Sequence, residues 1–163
     1  MEFSFLYWLQ ELRNPFLDSL MPAVTFLGNG GWFWIFLGVI LLAGKRTRKT
    51  GLAVLLSLLA GLIIGNLFLK NLVARSRPCW IDPSVPLLIG VPQDYSFPSG
   101  HTLASFEAAV SVWFYNRRWG TVLLVLGVII GFSRMYLFVH FPTDVLAGAL
   151  LGTVIAIAVC SLL

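Results

Sequence analysis

Both histidines of this 163-residue chain lie in short polar stretches that interrupt an otherwise apolar sequence. Three such stretches, well separated along the chain, supply cations, a serine, a glycine and one carboxylate. In chain order these residues are Lys70, Arg75, Arg77, Ser99, Gly100, His101, Arg134, His140 and Asp144. Ionisable groups within membrane-like sequence are energetically unfavourable and are usually functional. Their number and variety therefore favour one shared site over several unrelated structural roles.

The residue types indicate a site for phosphate. Lysine and arginine side chains near a helix N-terminus bind anions, because the donors and the helix dipole favour the same negative charge. Gly100 would let a phosphate approach the backbone, and Ser99 would add a hydroxyl and an N–H. The sequence offers no carboxylate cluster for magnesium and no cysteine–histidine set for zinc. We therefore expect phosphoryl transfer with fixed cations, without metal or cofactor, in which one histidine is the nucleophile and the other the general acid.

The composition places these groups in a membrane protein. The chain is 58% hydrophobic and 11% charged, with a mean hydropathy of +0.89, whereas soluble domains carry about 25% charged residues. A water-soluble fold of this length could not bury so much apolar surface, so we expect one membrane-embedded domain over residues 1–163. Cys79 and Cys160 have no metal-ligand spacing, and we expect no disulfide between them.

Apolar segments predict an all-α membrane protein with a bundle of six transmembrane helices. The predicted helices are residues 15–28, 32–44, 50–72, 100–115, 119–138 and 142–163. Residues 3–13 are amphipathic and predict an N-terminal helix on the membrane surface. Residues 73–100 contain five prolines and are expected to form a loop.

Two short basic clusters determine the predicted orientation. Residues 45–49 carry four cations, and Arg117 and Arg118 form the second cluster. The positive-inside rule places both clusters in the cytoplasm. With six crossings both termini would lie there too, and the three polar stretches would face outward. A nucleic-acid partner is not expected, because each cluster lies in a short membrane loop.

The spacing of the polar residues resembles the pattern of a known family. The chain contains K-x6-R-P at residues 70–78, P-S-G-H at 98–101 and S-R-x5-H-x3-D at 133–144. In this order the three motifs resemble the type 2 phosphatidic acid phosphatase family, which is related to vanadium haloperoxidases. Each motif alone is weak, but together they are highly specific, and none departs from the family pattern.

The resemblance implies a role for each motif residue. His140 would attack phosphorus and form a phosphohistidine, while Asp144 would accept a hydrogen bond from the other ring nitrogen. His101 would protonate the leaving oxygen and then activate water for hydrolysis of the intermediate. The phosphate oxygens would be bound by Lys70, Arg77, Ser99, the Gly100 N–H and Arg134.

Three further polar residues have other interpretations. Arg75 is expected to be a solvated loop charge, and the alternative is a contact with the substrate. Asn66, one turn before Lys70, would either orient the lysine ammonium or form a hydrogen bond between helices. Glu107 is the only carboxylate well inside a predicted helix, and it would either be buried with a structural partner or lie on the path of the substrate.

These expectations describe a lipid phosphatase of a bacterial-type cytoplasmic membrane with an outward-facing active site. The resemblance offers undecaprenyl diphosphate, phosphatidylglycerophosphate and phosphatidic acid as substrates. We favour undecaprenyl diphosphate, because the site faces outward and the chain has no added soluble domain. The alternative is a phosphatidylglycerophosphate or broad phosphatidate phosphatase. The expected partners are a lipid phosphate and membrane lipid, and the oligomeric state is open.

Two alternatives come from other classes of protein. A vanadate-dependent haloperoxidase would use the same residues but should be water-soluble. An anion transporter should gather its cations near the middle of the membrane, between repeated or broken helices. In this sequence the cations lie at helix ends and no repeat is visible.

Overall fold

The computed structural model describes residues 1–163 as helices joined by turns and loops. The α-helices are α1 (Glu2–Glu11), α2 (Pro15–Phe26), α3 (Trp32–Ala43), α4 (Arg48–Gly61), α5 (Lys70–Val73), α6 (Pro78–Ile81), α7 (Gly100–Tyr115), α8 (Arg117–Tyr136) and α9 (Pro142–Leu162). A 3₁₀ turn at Asn29–Gly31 separates α2 from α3, and a π-helix at Leu62–Leu69 joins α4 to α5. No strand is present, so the predicted all-α class is confirmed.

Three segments are long and apolar enough to cross a membrane. They are Arg48–Ile81, Arg117–Tyr136 and Pro142–Leu162. Helices α2 and α3 are each too short, but together they meet the same criteria as a pair bent by 43°. On α9 the exposed residues Leu146, Leu150 and Val154 recur every fourth position and form an apolar stripe suited to lipid. The chain is therefore an integral membrane protein with three such segments, or four if the bent pair is one span, where six were predicted.

Helix α7 lies in the middle of the bundle and contacts α4, α8 and α9. Ala108 is fully buried, and its small side chain lets neighbouring helices approach closely. Ser111 Oγ lies 3.2 Å from Ser57 Oγ, which joins α7 to α4 through buried hydroxyl groups. On the other side, a Cβ at Gly148 of α9 would lie 2.7 Å from the Ser99 carbonyl oxygen. This close packing holds the start of α7, with the P-S-G-H motif, against the start of α9.

The π-helix ends immediately before Lys70, the first residue of α5. Wider turns of this kind change the direction in which later side chains point, and they are frequent at functional sites. Helix α5 ends at Ala74, which has a φ of 47° in the left-handed region. The chain turns back there, and Lys70 and Arg77 consequently contact the same residue of the following loop, Asp94.

The first helix covers the turn that joins α8 to α9. The ring of Phe3 lies 5.2 Å from the ring of Phe141, and the ring of Tyr7 lies 5.8 Å from that of Phe138. Leu6 of the same helix is fully buried in this cluster. Helix α1 therefore shields the backbone on both sides of His140 with aromatic and aliphatic side chains.

The two termini lie at opposite ends of the bundle. The Glu2 carboxylate contacts the Arg75 and Thr143 side chains, which belong to the end that carries the polar motifs. Cys160, near the end of α9, contacts Ser111 in the second half of α7, towards the end that carries the basic clusters. This arrangement does not support the expectation that both termini share one face of the membrane, and the number of crossings stays a prediction.

The contact between α7 and α9 predicts a large effect of a single methyl group. Replacement of Gly148 by alanine places a Cβ against the Ser99 carbonyl oxygen and 3.2 Å from the Thr102 side chain, so the two helices must separate. Overpacking of this kind costs about 1–3 kcal/mol. We expect a clear loss of thermal stability in detergent. Gly90→Ala is the matched control, because a Cβ at Gly90 meets nothing within 4 Å; equal melting temperatures for the two variants would contradict this account of the packing.

Candidate active site

The three polar motifs meet around one cavity at the end of the bundle. The cavity has a volume of about 630 Å³. Six of the eight candidate residues line it, namely Lys70, Arg77, Gly100, His101, Arg134 and His140. The other two, Ser99 and Asp144, are fully buried behind its wall. Residues from α5, the loop before α6, α7, α8 and the α8–α9 turn thus converge although they are far apart in sequence.

His140 lies in the turn between α8 and α9 and is almost fully buried. Its Nε2 lies 3.0 Å from Nη1 of Arg77. A guanidinium can only donate hydrogen bonds, so Nε2 is the acceptor and the ring proton resides on Nδ1. Nδ1 faces Ser96 Oγ at 3.4 Å and Asp144 Oδ2 at 3.6 Å. The nitrogen that points towards the cavity cations is therefore the unprotonated one.

The surroundings of His140 keep its imidazole uncharged. Burial lowers the pKa of His140 well below its usual value, and the positive charges of Arg77, Arg134 and Lys70 lower it further. A lowered pKa means that protonation requires a more acidic solution than for an exposed histidine. At neutral pH the imidazole is neutral and retains a lone pair on Nε2, as a nucleophile requires.

Asp144 lies in the first turn of α9 and faces the Nδ1 side of the His140 ring. Oδ2 accepts hydrogen bonds from the Ser96 hydroxyl at 2.5 Å and the Phe141 N–H at 2.9 Å. The direct distance to His140 Nδ1, 3.6 Å, is longer than a hydrogen bond, and Ser96 Oγ contacts both groups. Ser96 was not singled out from the sequence, where its only distinguishing feature is its position two residues before the P-S-G-H motif.

Arg75 corrects an expectation, because it is not a solvated loop charge. Nη1 donates to Asp144 Oδ1 at 2.6 Å and to Thr143 Oγ1 at 2.7 Å. Nη2 donates to Glu2 Oε2 at 2.6 Å. The guanidinium also lies 4.1 Å from the centre of the Phe141 ring. Arg75 thus fixes the Asp144 carboxylate and connects it to the first helix.

Lys70 and Arg77 share one carboxylate, that of Asp94 in the loop before α7. Asp94 Oδ2 lies 2.5 Å from Lys70 Nζ, and Oδ1 lies 2.7 Å from Arg77 Nη2. Partial burial by itself would raise the pKa of Asp94, but the hydrogen bonds and charges of Lys70 and Arg77 outweigh it and lower the pKa to about 2. Asp94 is therefore ionised at neutral pH. Its sequence context, a proline-rich loop, gave no reason to choose it.

Arg134 points into the same cavity from the last turn of α8. Nη1 donates to the Thr25 hydroxyl of α2 at 2.6 Å. Its Nε is buried and has no hydrogen-bond partner. An arginine that is 4% exposed, contacts no carboxylate and retains a free donor is suited to bind an anion.

His101 and Ser99 differ in their access to the cavity. His101 Nε2 lies 2.8 Å from Asn29 Oδ1 in the 3₁₀ turn between α2 and α3. Gly28 precedes this turn, and a Cβ there would lie 2.5 Å from the His101 ring, so only glycine allows the approach. Ser99 instead accepts a hydrogen bond from the Thr102 hydroxyl at 3.0 Å and does not line the cavity. Asn29 was not singled out from the sequence, where it lies between two glycines, Gly28 and Gly30.

Asn66 and Glu107 extend the cavity away from the cations. A Cβ at Gly100 would lie 2.7 Å from Asn66 Oδ1, so Asn66 packs against the start of α7. No hydrogen bond joins Asn66 to Lys70. Glu107 is 1% exposed, lines the cavity and has no partner for Oε1. The expected structural partner of Glu107 is absent, and apolar residues such as Leu58 and Leu62 line the cavity with it.

No group of three or more histidine, cysteine, aspartate or glutamate side chains lies close enough together to hold a metal ion. Metal independence of the chemistry stays a prediction. The cations of the cavity are all side chains of the protein, and they are arranged around a neutral histidine. This arrangement can bind a phosphate group and present it to a nitrogen nucleophile.

Comparison with known proteins identifies the family of this chain. The model of the PAP2 superfamily matches residues 50–163. An undecaprenyl-diphosphatase from Sulfolobus acidocaldarius is 36% identical over 141 residues, which cover 84% of this chain and 68% of that protein. The undecaprenyl-diphosphatase BcrC from Bacillus subtilis is 32% identical over 143 residues, which cover 88% of this chain and 73% of that protein.

A solved structure shares the fold. The crystal structure of a transmembrane PAP2-type phosphatidylglycerolphosphate phosphatase from Bacillus subtilis aligns with a TM-score of 0.81 and 26% identity. The alignment covers 98% of this chain and 82% of that one. The resemblance found in the motifs is confirmed by a family match over more than half of the chain and by named phosphatases among its relatives. The chain belongs to the PAP2 superfamily and is a membrane phosphatase of that family.

Proposed function

We propose that this lipid phosphatase hydrolyses undecaprenyl diphosphate at the outer face of a cytoplasmic membrane. The observation that carries the proposal is the neutral His140, whose Nε2 faces Arg77 in a cavity that also contains Lys70 and Arg134. Two relatives named as undecaprenyl-diphosphatases support the choice of lipid. The apolar residues on the Glu107 side of the cavity suit the part of a lipid next to its phosphate groups.

The reaction begins with attack by His140 Nε2 on the terminal phosphorus. The P–N bond forms as the P–O bond to the leaving lipid phosphate breaks, which yields a phosphohistidine. Arg77 donates to Nε2 in this structure, and phosphate oxygens take over this N–H when substrate binds, which frees the lone pair. The ring becomes positively charged, and Ser96 and Asp144 stabilise the proton on Nδ1.

His101 supplies the acid–base function. Its position at the start of α7 places it on the cavity wall, and Asn29 orients its ring. It gives a proton to the leaving oxygen and then accepts one from the water that attacks the phosphohistidine. Hydrolysis releases inorganic phosphate and returns both histidines to their starting protonation states. Lys70, Arg77, Arg134 and the Gly100 N–H stabilise the oxygens of the five-coordinate phosphorus.

The proposed topology follows from the positive-inside rule and the placement of the termini. The basic clusters lie in the cytoplasm, and the cavity lies at the opposite, outer end. The bent α2–α3 pair forms one broken span, and α4–α5, α7, α8 and α9 form four more, so the chain crosses five times as a single domain. The N-terminus and α1 then lie on the outer surface, and the C-terminus lies in the cytoplasm.

The alternative substrate is phosphatidylglycerophosphate or another phosphatidate. It is supported by the fold shared with a phosphatidylglycerolphosphate phosphatase. The cavity chemistry is the same for both lipids, because either presents a terminal phosphate to the same cations. An anion transporter is not favoured, because the cations lie beside a nucleophile at one end of the bundle.

Substrate preference and metal independence can be measured together. We expect the purified protein to release phosphate fastest from undecaprenyl diphosphate, and more slowly from phosphatidylglycerophosphate and phosphatidate. Excess EDTA should leave each rate unchanged, because fixed cations replace the metal. Faster release from phosphatidylglycerophosphate would support the alternative substrate. Loss of activity in EDTA that magnesium restores would contradict the mechanism.

The topology predicts opposite accessibility for two engineered cysteines. In intact spheroplasts, an impermeant maleimide should label Gly90→Cys at the cavity mouth, and it should label Thr47→Cys only after permeabilisation. The wild-type chain is a low-background control, since Cys79 and Cys160 are buried. The reverse labelling pattern would place the active site in the cytoplasm and would exclude hydrolysis at the outer face of the membrane.

Replacement of His140 and of His101 by alanine should affect turnover and phosphoenzyme formation differently. His140→Ala should abolish turnover and form no phosphoenzyme. His101→Ala should lose roughly 10²–10⁴-fold with a lipid substrate, because it lacks the proton donor. A nitrophenyl phosphate has a good leaving group, so it should partly rescue phosphorylation in His101→Ala only, and acid-labile phosphohistidine should accumulate. Melting temperatures control for folding. Label on His101, or substantial activity in His140→Ala, would show that the roles are wrongly assigned.

A further inference from the structure

Asp94 occupies the place between Lys70 and Arg77 that a phosphate would take, and we propose that it is a resident anion which the substrate displaces on binding. It lies in the loop between α6 and α7 and lines the cavity. The inference rests on the proposed function, because it specifies how that site accepts and releases its anion. It adds a residue to the substrate-binding step that belongs to none of the three motifs.

Both carboxylate oxygens of Asp94 are used on cations. One bonds to Lys70 Nζ, and the other lies 2.7 Å from Arg77 Nη2. The two cations are buried, whereas 57% of the Asp94 side chain is exposed. A carboxylate from the open side of the cavity therefore bridges two buried cations, as two oxygens of a phosphate would do.

Arg77 has no N–H left for a ligand. A guanidinium has five N–H donors, and Arg77 makes five such contacts in this structure. Nε donates to the Asp94 carbonyl at 2.6 Å and Nη2 to the Tyr95 carbonyl at 3.2 Å. Nη1 donates to the Val139 carbonyl at 2.8 Å and to His140 at 3.0 Å. The fifth contact is the Asp94 carboxylate. In the proposed reaction phosphate takes over the N–H that His140 accepts, and any further hydrogen bond from Arg77 to phosphate requires another acceptor to leave.

The carboxylate is the acceptor that can leave most easily. The backbone around Asp94 is held in place, because the Ser96 N–H donates to the Arg75 carbonyl at 2.8 Å. The Trp80 indole donates to the Pro92 carbonyl at 3.1 Å. Rotation of the Asp94 side chain alone moves its charge into solvent, whereas the backbone acceptors of Arg77 are held by the fold of the loop and of the α8–α9 turn.

Exchange keeps two buried cations paired throughout the catalytic cycle. Buried charges without partners are strongly unfavourable. When phosphate leaves, the Asp94 carboxylate returns to Lys70 and Arg77, and its tether gives it an effective concentration on the order of millimolar. Asp94 therefore weakens the binding of inorganic phosphate and assists its release. The exchange makes and breaks no covalent bond.

Asp94→Asn tests the exchange because it removes the charge and keeps the shape. Binding of inorganic phosphate and of orthovanadate to the purified full-length protein is measured by calorimetry. We expect the Kd to fall roughly tenfold, because a charge-assisted competitor is gone. The ratio of the variant's Kd to the wild-type Kd should stay constant between about pH 5 and 8, because Asp94, with its pKa lowered to about 2, is ionised throughout.

Asp82→Asn is the matched control. It makes the same charge change in the same loop but does not line the cavity, and its Kd should match wild type.

A Kd in Asp94→Asn equal to or above that of wild type would overturn the proposal, as would an equal fall in Asp82→Asn. A wild-type structure with vanadate gives a test that needs no variant. We expect the Asp94 carboxylate to have left both cations, and retention of both contacts beside bound vanadate would overturn the exchange. Neither measurement depends on turnover. If the wild-type protein hydrolysed no lipid phosphate, the proposed function would be contradicted, but the result on the exchange of Asp94 for phosphate would still stand.

Discussion

The buried carboxylate of Asp144 is the group on which the rest of the site depends. Its oxygens accept hydrogen bonds from Arg75, from the Ser96 hydroxyl and from the Phe141 N–H. Its backbone carbonyl accepts a further hydrogen bond, from the Ser99 N–H. A carboxylate can be buried in its ionised form only with such a full set of partners. The long loop, the start of α7 and the start of α9 must therefore come together in one arrangement, and that arrangement fixes the His140 ring.

Binding an anion and keeping a neutral nucleophile both depend on the same positive charges. Arg77, Arg134 and Lys70 are the proposed phosphate-binding cations, and burial together with their charges lowers the pKa of His140, so its lone pair is preserved. The positive charge remains tolerable in a buried site because Asp94 balances part of it from the solvent side. Anion binding and a neutral His140 both require the cations to lie close together, which explains why Lys70, Arg77 and Arg134 line the same cavity.

The sequence was sufficient to predict the class of fold and the residues that converge, because motif spacing and hydropathy are local properties. It was insufficient where a contact depends on how distant segments fold back. Arg75 was misread because its partner Glu2 is 73 positions away, and Ser96 and Asp94 acquire their roles only once the long loop is folded. The predicted six crossings are not confirmed, because α2 and α3 are each too short to cross a membrane and meet the criteria only as one bent pair around the turn at Asn29–Gly31.

The bend between α2 and α3 connects two lipid-exposed helices to His101, the proposed acid–base group. The two helices meet at 43°, and the turn at the bend carries Asn29, which contacts His101. A hydrophobic segment adapts to a thicker or thinner bilayer by changing its tilt or its kink. Any such change at this bend would move Asn29 relative to His101, so we expect the acyl-chain length of the host membrane to affect the proposed proton transfer.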